Sequence, residues 1–350
     1  MNFSRDQITT STTEDLLTTA SRHLGGILSL AFDHTEAHSA LIVYDQRCAL
    51  AQILAEAYQR CLPRAVAIDF DASSPEAIWT AIDELKVSDL VVLVQSTSFR
   101  LEKFRLRVEL FKRGMQVIEH PHLSRMLPDQ AACYIDSLAY DPGYLRSTGK
   151  ALKLAIDTAG RALVSGGGEE LLFSAGFEDA KLNVGDYREM KNAGGQFPIG
   201  EVFTESLDLA AVNGRVQIFA FGGRDFRVKQ PASLITLRIE QGQVVESLNS
   251  TPEFDEVLAT IRADEGGVVW VRELGFGLNR AFTRDRIVDD VGTYERMCGV
   301  HLSLGAKHST YAKPNFKRDS GRHHVDVFVV ADSVLLDAQE VYRDGSWQLG

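Results

Sequence analysis

The sequence predicts an α/β fold: an N-terminal parallel-sheet α/β domain over residues 1–140, then a mainly β (α+β) metal-binding domain over residues 141–350. Three observations carry that expectation. The chain has 350 residues, enough to bury two cores. Its first third alternates short β-rich apolar runs with stretches whose apolar residues recur at helical spacing. From about Asp141 the pattern changes to short alternating runs separated by glycine turns.

Ala40 to Tyr44 is a continuous β-rich run, followed by a helical pattern from Ala49 to Cys61. After Pro63, Ala65 to Ile68 predicts a second strand, and Pro75 opens a helix towards Leu85 behind Ser73 and Ser74. Asp89 to Val94 is apolar on both faces, as buried parallel strands are. A helix is expected over Leu101 to Lys112, closed by Gly114, before a fourth strand at Met115 to Ile118. Strand and helix alternating in this way predict right-handed crossovers and a parallel sheet covered on both faces. No GxGxxG follows the first strand, which argues against a dinucleotide site. A helix is then expected from Ser147 to Ala159. Arg161 to Val164 and Leu171 to Phe173 flank Gly166-Gly167-Gly168 as a hairpin; without a following Lys-Ser/Thr the glycines are no phosphate loop. Val216 to Phe221, Leu234 to Ile239, Gly267 to Arg272 and Val325 to Val330 continue the strands.

Composition narrows the function. Charged residues sum to 37 − 48 = −11, a poor balance for coating nucleic acid. Cys48, Cys61, Cys133 and Cys298 stand far apart with no CxxC pair, so neither a zinc knuckle nor a disulfide framework is expected. No 18-residue apolar run occurs, and Met1 to Thr13 is polar. A soluble cytoplasmic protein with no nucleic-acid or membrane partner is the expectation.

Four of the nine histidines, His301, His308, His323 and His324, fall close together near the C-terminus. Imidazole and carboxylate are ligands that divalent transition metals take, so the nearby acids matter. On a strand, residues i and i+2 share a side, which brings His324 and Asp326 together while Val325 and Val327 face the other way. The same pair could be a plain hydrogen-bonded His–Asp couple at a strand start. Upstream, Glu201 in Phe197-Pro-Ile-Gly-Glu-Val-Phe-Thr204 and Glu273 in Val271-Arg-Glu-Leu-Gly-Phe-Gly-Leu-Asn279 are each bounded by apolar residues. Burying such a carboxylate is costly without positive charge beside it. Arg272 could serve Glu273; Glu201 has no adjacent cation, which favours a metal there.

Taken in order, Pro-x-Gly-Glu-Val-Phe-Thr, Glu-Leu-Gly-Phe-Gly-Leu-Asn, Val-His-Leu-Ser-Leu-Gly and His-Val-Asp resemble the thermophilic metalloaminopeptidase family that includes aminopeptidases T and S. The resemblance spans roughly Asn192 to Asp344, with a looser match before it. It implies two adjacent divalent ions (zinc, cobalt or manganese), hydrolysis of the N-terminal residue from a peptide or a small amine-bearing conjugate, and a homodimer. Carried over by position, Glu201, Glu273, His301, His324 and Asp326 match the family's ligands, and Glu295 is a further candidate. Where the family has a tyrosine seven residues after its first motif histidine, this chain has His308, with Tyr311 three residues on. In the implied mechanism Glu273 accepts a proton from water, and Tyr311 or His308 donates to the tetrahedral oxyanion.

A second resemblance points elsewhere. The 2,5-dihydroxypyridine ring-opening dioxygenases have a comparable Gly-aromatic-Gly-Leu segment and a terminal His-x-Asp, and use one iron(II) held by two histidines and one carboxylate. They carry a histidine at the place of Glu273 and an apolar residue at that of Glu201; the acids here favour the hydrolytic site. A degenerate, non-enzymatic binding protein is the third reading. Two other histidine motifs are read as structural: His34-Thr-Glu-Ala-His38 as a polar turn, and His120-Pro-His122 as a loop at a strand end, where α/β sheets often bind ligands.

Overall fold

Strands that are apolar on both faces require a sheet covered on both sides, and the computed structural model builds one in the first of two compact units. The structure describes residues 12–101, 104–187, 190, 193–308, 310–313 and 321–349; the polar segment read before Thr12 lies outside them. The first unit runs to Tyr140 and includes Tyr187–Phe197, and the second takes Asp141–Asp186 and the chain from Pro198.

In the first unit, α1 (Thr13–Leu30) opens on a capping box between Thr12 and Asp15. Then come β1 (Ala40–Tyr44), α2 (Ala49–Cys61), β2 (Val66–Asp69), α3 (Pro75–Asp83) and β3 (Leu90–Val94). A small antiparallel pair, β4 (Arg100–Leu101) and β5 (Phe104–Arg105), precedes α4 (Leu106–Lys112), β6 (Gln116–His120) and α5 (Ala131–Asp136). β1 pairs in parallel with β2 and β3, and β3 with β6. Leu41, Val43, Val91, Leu93 and Val117 pack with Ile78 and Ile82 of α3 and Leu106 and Leu110 of α4. The helix expected from Leu101 begins at Leu106, because Leu101 is spent in the short antiparallel pair and Arg105 is extended.

His120 is also corrected. It ends β6 as a fully buried residue, with Nε2 2.7 Å from Tyr58 Oη and Nδ1 2.8 Å from Tyr134 Oη. Tyr134 donates to the Phe197 carbonyl at 3.3 Å, which assigns Nδ1–H as donor to Tyr134 and Nε2 as acceptor from Tyr58. Two phenols therefore satisfy both ring nitrogens, and the imidazole is internal. The His34–His38 segment is a turn in which His38 Nδ1 accepts the Thr35 N–H.

The second unit starts with α6 (Pro142–Thr158), five residues earlier than expected: Asp141 accepts the Tyr144 N–H and Pro142 fits the first turn. β7 (Ala162–Gly166) and β8 (Glu169–Phe173) form the hairpin read from the sequence, with Gly167 and Gly168 in left-handed conformations at its tip. After β9 (Lys181–Asn183), β10 (Gly194–Gln196) pairs in parallel with β6 and so extends the first unit's sheet. The remaining strands are β11 (Glu201–Glu205), β12 (Val212–Gly222), β13 (Val228–Lys229), β14 (Ile235–Glu240), β15 (Gln243–Leu248), β16 (Val271–Gly277), β17 (Gly299–Leu304), β18 (Val325–Val329), β19 (Ser333–Leu336), β20 (Gln339–Arg343) and β21 (Ser346–Trp347). They form one antiparallel sheet in the order β21-β20-β19-β7-β8-β12-β18-β17-β16-β11-β9, with β13 and β14 also on β12.

A helix not anticipated from the sequence, α7 (Pro252–Asp264), buries Phe254, Val257, Leu258 and Ile261 at helical spacing. Gly266 and Gly267, both left-handed, turn the chain out of α7, so the strand expected from Gly267 to Arg272 is instead Val271–Gly277. That shift puts Glu273 and Gly275 in mid-strand. A short helix, α8 (Val291–Tyr294), leads towards β17.

Burial pushes the His120 ring down to about 3. An unfolded chain protonates this ring below about pH 6.5, so its contribution to stability is present above that pH and is lost as pH falls towards 3. Unfolding by urea at pH values between about 6.5 and 4.5 is expected to show a stability loss that is shallower in His120→Gln, by at most about 1.4 kcal/mol per pH unit. Equal slopes in the two proteins would contradict it.

Candidate metal centre

Alternation along a strand and register between strands decide which side chains meet. Across β11 and β16, Glu201 opposes Gly277, Phe203 opposes Gly275 and Glu205 opposes Glu273. Across β16 and β17, Gly275 opposes His301. Across β17 and β18, His301 opposes Phe328 and Ser303 opposes Asp326. Four adjacent strands thus bring Glu201, Glu273, His301 and Asp326 to one face. His324 joins from just ahead of β18, and His308 from the segment after β17.

The donor atoms form two groups, each small enough to surround one ion: Glu201, Glu273 and His301, and Glu273, His324 and Asp326. Glu273 belongs to both. Its Oε1 is 3.4 Å from His301 Nε2, and its Oε2 is 2.9 Å from His308 Nε2. His301 Nε2 also lies 3.5 Å from Glu201 Oε1. His324 Nε2 is 3.1 Å from Asp326 Oδ1, in an orientation that makes no hydrogen bond. Asp326 Oδ1 is therefore a buried carboxylate oxygen with no well-aligned hydrogen bond among the described residues, its nearest cation being the exposed His324 ring. Such an oxygen is expensive unless a cation completes it, so the donor set fits a divalent metal.

Electrostatics point the same way. Burial raises the Glu201 carboxyl, against the pull of Arg296 and His301. Burial also works to raise Glu273, but hydrogen bonds with His301 and His308 outweigh it and hold this carboxyl well below the usual range. For His301, burial is outweighed by Glu273, Glu201 and Asp326, which raise the ring. His324 is exposed at the edge of the cluster, and there the desolvation from the packing around the ring is outweighed by Asp326 and Glu273, which push it up to about 10. The face attracts positive charge.

Several neighbours were not legible as partners. Arg272 does not serve Glu273: its Nε and Nη2 donate to Glu205 at 3.0 and 2.9 Å, and both residues are buried. The β16–β17 ladder shifts register between Val271 and Leu274, and both Arg272 and Glu273 are buried there. Arg272 also donates to the carbonyls of Ala306 and Tyr311, which ties down the segment carrying His308. Glu201, without a cation beside it in sequence, has Arg296 Nη2 3.5 Å away; Arg296 also pairs with Glu295. Glu295 is in neither ligand group. The Tyr311 hydroxyl lies 2.8 Å from the Asp179 carbonyl and 3.2 Å from that of Phe203, so its proton is committed to backbone, whereas the His308 ring reaches Glu273 directly. His323 pairs with Asp264 instead of joining the cluster. Among the described residues, no helix is long and apolar enough to cross a membrane.

No family model and no curated protein matches the chain. Solved structures do match. A 2,5-dihydroxypyridine dioxygenase from Pseudomonas putida KT2440 is similar with a TM-score of 0.60 at 16% identity, covering 96% of this chain and 98% of its own. AmpT from Thermus thermophilus, an aminopeptidase T, is similar with a TM-score of 0.58 at 14% identity, covering 95% and 99%. The fold is thus shared by two enzymes of different chemistry, and the side chains must distinguish them.

Removing Arg272 leaves the buried Glu205 with Lys313, 3.7 Å away, as its remaining ion-pair partner among the described residues. Arg272→Met is expected to cost about 3–5 kcal/mol in unfolding free energy, read by denaturant titration. A change below about 1 kcal/mol would show that the pair is dispensable.

Proposed function

We propose that the protein is a metal-dependent aminopeptidase that holds two divalent ions, zinc, cobalt or manganese, and hydrolyses the N-terminal residue from peptides or small amine-bearing conjugates. The observation that carries this reading is the double membership of Glu273 in the two ligand groups. A carboxylate has two oxygens, and one placed between two groups can hold an ion on each side. Glu201 and His301 complete the first group; His324 and Asp326 complete the second. Iron oxygenases of the two-histidine, one-carboxylate type use a different set. Here each group offers one imidazole and two carboxylates, which supports hydrolysis over ring cleavage.

Bound in these groups, two divalent ions would acidify a water molecule to a pKa near ~7 and polarise the scissile carbonyl. The chain's own residues do the rest. Glu273, kept ionised by His301 and His308, is shared and rigidly held. His308 accepts the Thr310 and Tyr311 N–H groups at Nδ1 and donates from Nε2 to Glu273 Oε2, so both ring nitrogens are engaged. The ring thus holds the carboxylate, which is the group that takes the proton from water and returns it to the departing amine. Tyr311, with its hydroxyl on the backbone, orients the segment and does not donate to the substrate. Arg296 balances Glu201 so that three buried carboxylates can coexist before metal loading.

The reading is tested by metal content and turnover together. Protein supplemented with zinc, cobalt or manganese is expected to hold two ions per chain and to cleave free-amine peptides, leaving N-acetylated ones intact. Glu201→Ala and Asp326→Ala are each expected to lower occupancy by about one ion with the fold preserved by circular dichroism, and to cut kcat/KM by at least about 100-fold. Normal occupancy in both variants would overturn the site. A single iron, lost in air and required for oxygen uptake with 2,5-dihydroxypyridine, would overturn the hydrolase in favour of an oxygenase.

A further inference from the structure

His301 faces a geometric problem that the ligand groups alone do not explain. It projects from β17, yet its Nε2 must meet Glu273 on β16 and Glu201 on β11, one strand further away. Adjacent strands are about 4.8 Å apart, so the ring has to lie across β16 itself. Any side chain pointing up from β16 at the crossing point would occupy the ring's space.

The residue at that point is Gly275, directly opposite His301 in the β16–β17 register and two positions from both Glu273 and Gly277, the residue that opposes Glu201. A Cβ built on Gly275 would lie 2.0 Å from His301 Nε2, 2.2 Å from Cε1 and 2.7 Å from Cδ2. These contacts are impossible without moving the ring. The backbone gives no other reason for glycine, since Gly275 is outside the left-handed region and alanine could adopt its conformation. Gly277, two residues on, differs: a Cβ there would strike the Met297 carbonyl oxygen at 1.9 Å, a clash with main chain.

Resting on the two-ion reading, we infer that Gly275 is a positioning residue: its missing side chain is the slot through which the His301 imidazole crosses β16, and it decides whether the Glu201–Glu273–His301 group can form. The Glu273–His324–Asp326 group does not use the slot. Filling it should therefore convert a two-ion centre into a one-ion centre, which makes position 275 a determinant of how many metals the chain holds.

The test is an unfolding cycle joined to a metal titration. Melting temperatures are measured without metal for the wild type, Gly275→Ala, His301→Ala and the double variant. Gly275→Ala is expected to lower the melting temperature in the presence of the ring and to have little effect once His301 is alanine. Gly277→Ala, which meets backbone, is expected to cost the same in both backgrounds. In cobalt(II) titrations Gly275→Ala is expected to bind one ion per chain in place of two, with affinity for the lost one down on the order of 10- to 100-fold or more. Equal thermal losses from Gly275→Ala in both backgrounds, or two ions bound with wild-type affinity, would overturn the slot. A wild type that takes up fewer than two ions would count against the two-ion reading instead, while the metal-free cycle still decides the slot.

Discussion

Glu201, Glu273 and Asp326 are buried on one face of the antiparallel sheet, close enough that Glu273 shares a ligand group with each of the other two. Like charges so placed repel strongly out of water, and the arrangement survives only if positive charge stands among them. Arg296 supplies one fixed cation, and His301, His308 and His324 surround Glu273 and Asp326. Asp326 Oδ1, buried with no well-aligned hydrogen bond among the described residues, marks where this balance remains incomplete. Everything proposed about function follows from that demand for cations.

The second unit is arranged to meet it. Antiparallel register sets four side chains from consecutive strands on one face, a more rigid mounting than loops provide. The Arg272–Glu205 pair is fixed in the same region and reaches the Ala306 and Tyr311 carbonyls, so the segment bearing His308 is fastened to the strand bearing Glu273. Ser303 accepts the Glu273 N–H, adding a tie between β16 and β17 where their ladder slips. The first unit presents no comparable cluster among its described residues. The Tyr58–His120–Tyr134 chain buried there is self-satisfied and reads as structure.

Much of the strand pattern was legible because burial leaves a periodic trace, as were the acids flanked by apolar residues at 201 and 273. His324 and Asp326, two apart, do meet, but His324 is exposed and lies just ahead of the strand expected to carry both. What escaped was pairing across sequence. Nothing near Glu201 announces Arg296, and adjacency suggested Arg272 for Glu273 although a register slip gives it to Glu205. Tyr311 was a candidate because it lies three residues beyond the place where the resembled family has a tyrosine; its hydroxyl direction is a tertiary fact. The structural reading of the His120 motif stands, but His120 ends a strand instead of lying in the loop, and its two phenol partners come from distant helices that the sequence does not announce. Gly275 carried a visible signal, a glycine amid apolar strand residues, whose meaning emerges only when the opposite residue is known to be a histidine.

The most direct test is anomalous diffraction from crystals of the zinc- or cobalt-loaded protein, recorded at the metal edge. The account predicts two peaks per chain with the Glu273 carboxylate between them, one beside Glu201 and His301 and the other beside His324 and Asp326. A single peak, or two peaks that do not share Glu273, would contradict it.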